Sequence, residues 1–306
     1  MHTTKTKSTL TVAGFLIAFI GALLFSTKAV IVKKAFADVH VDALTLLMIR
    51  MLFSLPFYLL TAFILWKQPD NKKMNSKEWT AVILLGLFGY YLSSLFDFIG
   101  LQYISAGLER LILFLYPSFA VLINAFVFKQ KIKRNEVLAL VLTYSGIAIA
   151  YYGELKIDTS NPNFVLGSFL VFLCAVTYSV YIVGSGRMIP KVGANKFTTY
   201  ALLTSTAGVF VHYAISGEHQ VLKSGMDLWW YGVLLAVVAT VIPTYLLSAA
   251  MKKIGSNNVA IISSVGPVFT IIQANYILGE EIFTLQVIGT ILVLAGVLLL
   301  VLKTKK

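Results

Sequence analysis

Ten apolar stretches of about membrane-spanning length run through this 306-residue chain, and they leave few folds open to it. A helix needs about 20 mostly apolar residues to cross the hydrocarbon core. Such stretches lie at 11–32, 43–66, 79–99, 104–128, 136–152, 164–185, 197–215, 228–250, 257–278 and 284–302. The connections are short and polar, and several hold breakers, as in Gln68-Pro69-Asp70-Asn71 and Thr159-Ser160-Asn161-Pro162. None is long enough to be a soluble domain. In lipid the backbone must satisfy its own polar groups, so these stretches imply helices. The expectation is an all-α membrane protein with ten transmembrane helices. Charged residues make up 12% of the chain, about half the roughly 25% that wets a soluble domain. The first stretch is longer than a signal-peptide core and reads as a span.

The net charge of +12 would suggest a nucleic-acid partner in a soluble protein. Here the positions of the charges define orientation instead. With the N-terminus in the cytoplasm, the cytoplasmic segments carry Lys5, Lys7; Lys67, Lys72, Lys73, Lys77; Lys129, Lys131, Lys133, Arg134; Arg187, Lys191, Lys196; Lys252, Lys253; and Lys303, Lys305, Lys306. The outer loops carry only Lys33, Lys34, Lys156 and Lys223. That bias follows the positive-inside rule and predicts both termini inside. The partners expected are the lipid bilayer and a small solute, with no nucleic acid, and the oligomeric state stays open, a monomer being one option.

The chain also repeats itself. At an offset of 150, Tyr116-Pro117 falls on Gly266-Pro267, Ile132 on Ile282, Val137 on Val287, Leu142 on Leu292 and Gly146 on Gly296. Gly21 to Ser26 matches Cys174 to Ser179 at an offset of 153. Two units follow: 1–152 with helices 1 to 5, and 153–306 with helices 6 to 10. Five is odd, so the second unit enters the membrane inverted. Inverted repeats mark secondary transporters, whose site lies between the halves near mid-membrane. The basic run Lys129 to Arg134 falls on Gly279-Glu280-Glu281 and the residues after it, so the basic copy lies inside and the acidic copy outside.

Several of these residues carry a family resemblance. Lys252-Lys253-Ile254-Gly255-Ser256-Asn257-Asn258, then Gly266-Pro267, Leu278-Gly279-Glu280, Gln286-Val287-Ile288-Gly289 and Ala295-Gly296-Val297 resemble the EamA-type members of the drug/metabolite transporter superfamily. A weaker copy lies around Leu101 to Ala106 and at Pro117, and Ile49-Arg50 fits the family's arginine in helix 2. Phe25-Ser26 stands where the family usually has Trp and a small residue, and Gln130 where it usually has glutamate. The resemblance covers nearly the whole chain. It implies a ten-helix bundle, a central pathway between halves, and export as the commoner direction. It says little of the substrate.

Five ionisable residues fall inside the expected spans: Lys28, Arg50, Asp97, Glu109 and Arg110. Each costs about 2.5–3.5 kcal/mol at a helix centre, so they must be paired, wetted or near an interface. The topology puts all five in the outer third of the first half. Helical spacing turns them inward: Gly14, Gly21 and Lys28 share a face, Gly86, Tyr90, Ser93 and Asp97 form a stripe, and Arg110, Pro117 and Asn124 share another. Two readings stay open. One is a structural ion-pair network or outer gate; the other is a substrate vestibule whose third cation suits a carboxylate. Asp97 or Glu109 is a candidate for proton coupling. Tyr90, Ser94, Asn124, Tyr178, Ser263 and Gln273 complete the candidate pathway, and Pro117, Pro243 and Pro267 are placed to kink helices near it.

Other classes fit less well. The four histidines, His2, His40, His212 and His219, make no metal-type pair, and there is no HExxH, P-loop or Cys–His arrangement. No enzyme activity, metal or cofactor is expected. The single cysteine, Cys174, allows no disulfide and reads as a core residue. A channel is the main alternative to a carrier.

Overall fold

The computed structural model describes residues 11–68, 73–157, 161–216 and 225–302. The basic residues Lys5, Lys7, Lys72, Lys223, Lys303, Lys305 and Lys306, and most of the two breaker turns, lie outside that set, as do His2 and His219. The described residues form helices: α1 (Val12–Val39), α2 (Ala43–Trp66), α3 (Ser76–Leu101), α4 (Ala106–Phe128), α5 (Arg134–Ile157), α6 (Phe164–Val192), α7 (Ala194–Ser216), α8 (226–254), α9 (256–278) and α10 (Thr284–Leu302).

Local chemistry sets several boundaries. Thr11 Oγ1 accepts from Gly14 N at 3.2 Å and starts α1, and Asp42 Oδ1 accepts from Thr45 N at 2.8 Å to start α2. Asn75 and Glu78 form a reciprocal capping box at the head of α3. His40, at φ 53°, closes α1 in the left-handed region.

Four helices are irregular, and they are irregular in pairs. α3 widens to i→i+5 turns over 87–92, and α8 does so over 234–241. In α8 the wide stretch is followed at once by Pro243, which has no N–H to offer the preceding turn. α4 breaks at 114–115, two residues before Pro117, and α9 breaks at 264–265, two residues before Pro267. Both then end in the same turn. Lys129 sits at φ 53° with Gln130 N on Asn124 O at 3.2 Å, and Gly279 at φ 72° with Glu280 N on Ala274 O at 3.3 Å. Each member of these last pairs is 150 residues from the other.

Packing crosses the two units. α1 packs on α8 and α9, while α6 packs on α3 and α4; α2 packs on α7, and α5 on α10. The α5–α10 contact is close because of glycine: a Cβ on Gly146 would stand 2.6 Å from Gly289 O. Phe63, Trp66, Val165, Phe169, Ile215 and Ile291 face outward, each at least half exposed, as a lipid-facing surface requires.

Among the described residues, eight helices are long and apolar enough to cross a membrane: α1 to α6, 226–251 and 258–278. The expected spans at 197–215 and 284–302 differ. The apolar part of α10, Thr284–Leu300, is shorter, and α7 has the length but carries Lys196, His212 and several hydroxyls. Its packing on α2 and α3 explains how those hydroxyls are tolerated. Thr206, buried, bonds Leu202 O at 2.9 Å, and Thr204 bonds Tyr200 O at 2.8 Å.

Candidate functional site

The charges expected inside the spans gather where α1, α3, α4 and α9 meet. Lys28 Nζ donates to Asp97 Oδ2 at 2.6 Å, with the Asp97 side chain 1% exposed. Glu109 is fully buried, and its Oε2 is 3.9 Å from Arg110 Nε. Buried charge must be paired or neutralised, and here two cations face two anions.

Arg110 ties this group to the other half. Its Nε donates to Thr270 Oγ1 on α9 at 3.1 Å, and its Nη2 lies 3.4 Å from the carbonyls of Phe25 and Ser26 on α1. Thr270 Oγ1 donates to the same Ser26 carbonyl at 3.1 Å, and Gln273 Nε2 reaches Ser26 Oγ at 3.4 Å. The head of Arg110 is thus enclosed by acceptors that α1 and α9 supply together.

Arg50 is different. It is 5% exposed, its Nη2 donates to Ser94 Oγ at 3.3 Å, and its guanidinium stands 5.2 Å from the Phe98 ring centre. Among the described residues its Nε is buried without a hydrogen-bond partner. Leaving such a donor unmade is costly. Tyr58 lies near it with a buried hydroxyl that also lacks a partner.

Beside Arg50 runs a column of rings. Tyr181 donates to Tyr90 at 3.0 Å, with ring centres 4.8 Å apart. Tyr178 stacks on Tyr181 at 5.9 Å and meets Tyr116 edge-on at 5.1 Å. Gly89 allows the approach, because any Cβ there would collide with the Tyr181 ring. The column joins α3, α4 and α6, which come from both halves.

Of the residues expected at the site, Lys28, Asp97, Glu109 and Arg110 form one group, Gln273 touches its edge, and Arg50 with Ser94, Tyr90 and Tyr178 forms the adjoining wall. Ser263 Oγ is buried without a partner on α9. Asn124 is occupied locally, donating to Ala120 O at 2.9 Å. Sequence reasoning passed over Tyr58, Thr270, Glu154 and Ser105. Ser105 N and Oγ donate to Glu154 at 3.0 and 2.7 Å, and Glu280 accepts from Ala106 N and Gly107 N at 2.9 and 3.3 Å. The signal for this was a serine one residue before a helix, with a carboxylate at the end of a neighbouring span.

The fold and this geometry have relatives. The EamA-like transporter family matches residues 12–152 and again 165–302. A Bacillus subtilis protein named as the uncharacterized transporter YcbK is 29% identical over 283 residues, covering 90% of this chain and 89% of that protein. An Ancylobacter novellus protein named as the aromatic amino acid exporter YddG is 25% identical over 185 residues, covering 60% of this chain and 62% of that protein. One solved crystal structure superposes with a TM-score of 0.64 at 21% identity, over 96% of both chains, and so shares the fold. With two matches that together span nearly the whole sequence, this multi-pass membrane protein belongs to the EamA-like transporter family.

Proposed function

We propose that the protein is a secondary transporter that exports a small carboxylated metabolite across the cytoplasmic membrane by alternating access. On this reading α7 and α10 also span, giving ten spans, with both termini cytoplasmic. Residues 1–152 and 153–306 then form inverted five-helix repeats. The paired breaks in α4 and α9, the paired wide turns in α3 and α8, and the exchange of α1 and α6 between halves support it.

The observation that carries the substrate reading is Arg50. The Lys28–Asp97–Glu109–Arg110 group sets two cations against two anions and reads as a structural network between the halves. Arg50 keeps a buried N–H without an acceptor. A carboxylate would supply one, through the paired geometry that guanidinium favours. The adjoining tyrosines suit an aromatic or apolar side chain, and the exporter named YddG brings aromatic amino acids to the head of the list.

The test is counterflow in proteoliposomes with labelled phenylalanine, tyrosine, leucine and benzoate, comparing wild type with Arg50→Gln. Trans-stimulation by unlabelled solute in wild type, lost in the folded variant, supports the reading. Flux without trans-stimulation would favour a channel. Equal counterflow in the two proteins would remove Arg50 from the binding site.

A further inference from the structure

We propose that Glu280 is a latch that closes one end of the pathway between the halves, and that Gln130 is its weaker counterpart at the opposite end. The inference rests on the inverted-repeat reading above and adds the residues that bias the cycle.

The first four N–H groups of a helix lack intrahelical partners. At the head of α4 they are met from two directions. Glu154, from α5 of the same half, takes Ser105 N and Oγ. Glu280, from the turn between α9 and α10 of the other half, takes Ala106 N at 2.9 Å and Gly107 N at 3.3 Å. Lys33 Nζ stands 4.0 Å from the same Glu280 oxygen and donates to Ile104 O at 2.6 Å. A carboxylate on backbone N–H groups at a helix N-terminus is a charge-assisted bond, roughly twice as strong as a neutral one. Gly107 also lies close to Gln286 of α10, since a Cβ there would stand 2.5 Å from Gln286 Nε2.

The repeat supplies the counterpart. Residues 124–130 and 274–280 make the same closing turn, with Gln130 in the place of Glu280. The head of α9, at residue 256, is in the place of the head of α4 at residue 106. Gln130 is exposed. Residues 266–278 pack on 106–113, and among the described residues 116–128 and 256–263 make no comparable contact. Among the described residues, then, the helices are packed together at the Glu280 end and not comparably at the Gln130 end.

The chemistry of the two positions makes that asymmetry intelligible. A charged carboxylate latches one end, and a neutral amide is all that is available at the other. The resting protein therefore favours the conformation closed at the Glu280 end, and solute binding must act against that bias.

The test needs no substrate, so it stands or falls apart from the transport assay. Spin labels are placed at Gln102→Cys and Glu281→Cys, both exposed and at the latched end, in a Cys174→Ser background in nanodiscs. Pulsed electron-electron distances should give one narrow short population with Glu280 present. Glu280→Gln should add a longer population of at least a tenth of the molecules, and Gln130→Glu should do the same by strengthening the opposite latch. If Glu280→Gln does not fold, Gln130→Glu carries the measurement, since it leaves Glu280 in place. A distribution unchanged in every folded variant overturns the proposal, even where transport is normal. A shifted distribution sustains it, even where no tested solute moves.

Discussion

Lys28 Nζ and Asp97 Oδ2 meet at 2.6 Å, joining α1 to α3 across 69 residues of sequence, and both groups are largely withdrawn from solvent. Two such charges attract strongly only because their surroundings are poor in water, and the same surroundings punish either one left alone.

Removing one partner should therefore do more harm than removing both. Asp97→Ala should destabilise the protein by about 3–5 kcal/mol, since it strands the ammonium. The double variant Lys28→Met/Asp97→Leu should recover most of that loss. Thermal exposure of Cys174, buried and the only cysteine in the chain, reads the unfolding directly with a thiol-reactive dye. A double variant less stable than Asp97→Ala would show that the pair is not the relevant unit.

Arg50 should behave in the opposite way, with a large effect on transport and a small one on stability. Among the described residues its guanidinium makes one hydrogen bond, at 3.3 Å, and stands over a ring. Arg50→Lys keeps the charge but loses the planar fork. It should raise KM for a carboxylated solute at least tenfold, with the unfolding temperature shifted by less than about 4 °C, the scale of a 1 kcal/mol change or less. Initial rates of uptake over a concentration series check both numbers against the same preparation.

The helical, lipid-facing architecture was legible because apolar length acts locally along the chain. The pairing of the charges was partly legible. Helical spacing turned Lys28, Asp97 and Arg110 inward, but spacing on one helix says nothing of which neighbour it meets. Arg110 finds Thr270 because residues 106–113 of α4 pack on residues 266–278 of α9, from the other half. Asn124 shares a helical stripe with Arg110 and yet bonds its own backbone, because the break at 114–115 separates the two segments of α4. α7 was read as a plain span; its hydroxyls bond carbonyls one turn back, a compensation hydropathy does not register.

The α5–α10 contact should resist any added side chain. A Cβ on Gly146 would meet Gly289 O at 2.6 Å, Leu292 Cβ at 2.9 Å and Val293 N at 2.9 Å. Two of the three are backbone atoms that cannot swing aside. Gly146→Ala should cost about 1–3 kcal/mol by overpacking, and Gly146→Leu should prevent folding. The control is Gly186→Ala, where an added Cβ meets nothing within 4 Å. Equal unfolding temperatures for Gly146→Ala and wild type would mean that α5 and α10 are not in this contact in the membrane.

Proton coupling, if the cycle uses it, should run through Glu109 more than Asp97. Asp97 commits one oxygen to Lys28 at 2.6 Å, whereas neither oxygen of Glu109 has a hydrogen-bond partner. Both carboxyls are buried, Asp97 on Lys28 and Glu109 beside Arg110. A solute leaving the binding wall alters the field on this pair, so uptake or release of one proton can accompany it. Glu109→Gln fixes the neutral form. It should abolish stimulation of transport by a pH gradient while leaving solute counterflow within about twofold of wild type, because exchange moves no net proton and a change below 0.6 kcal/mol is small for a coupled step. Asp97→Asn should reduce both, since it also releases Lys28. Measurement at pH 5.5, 6.5, 7.5 and 8.5 in proteoliposomes, with and without an imposed gradient, separates the cases. A Glu109→Gln protein that kept the wild-type response to the gradient would exclude this carboxyl as the carrier of the proton and leave the pair with its structural role alone.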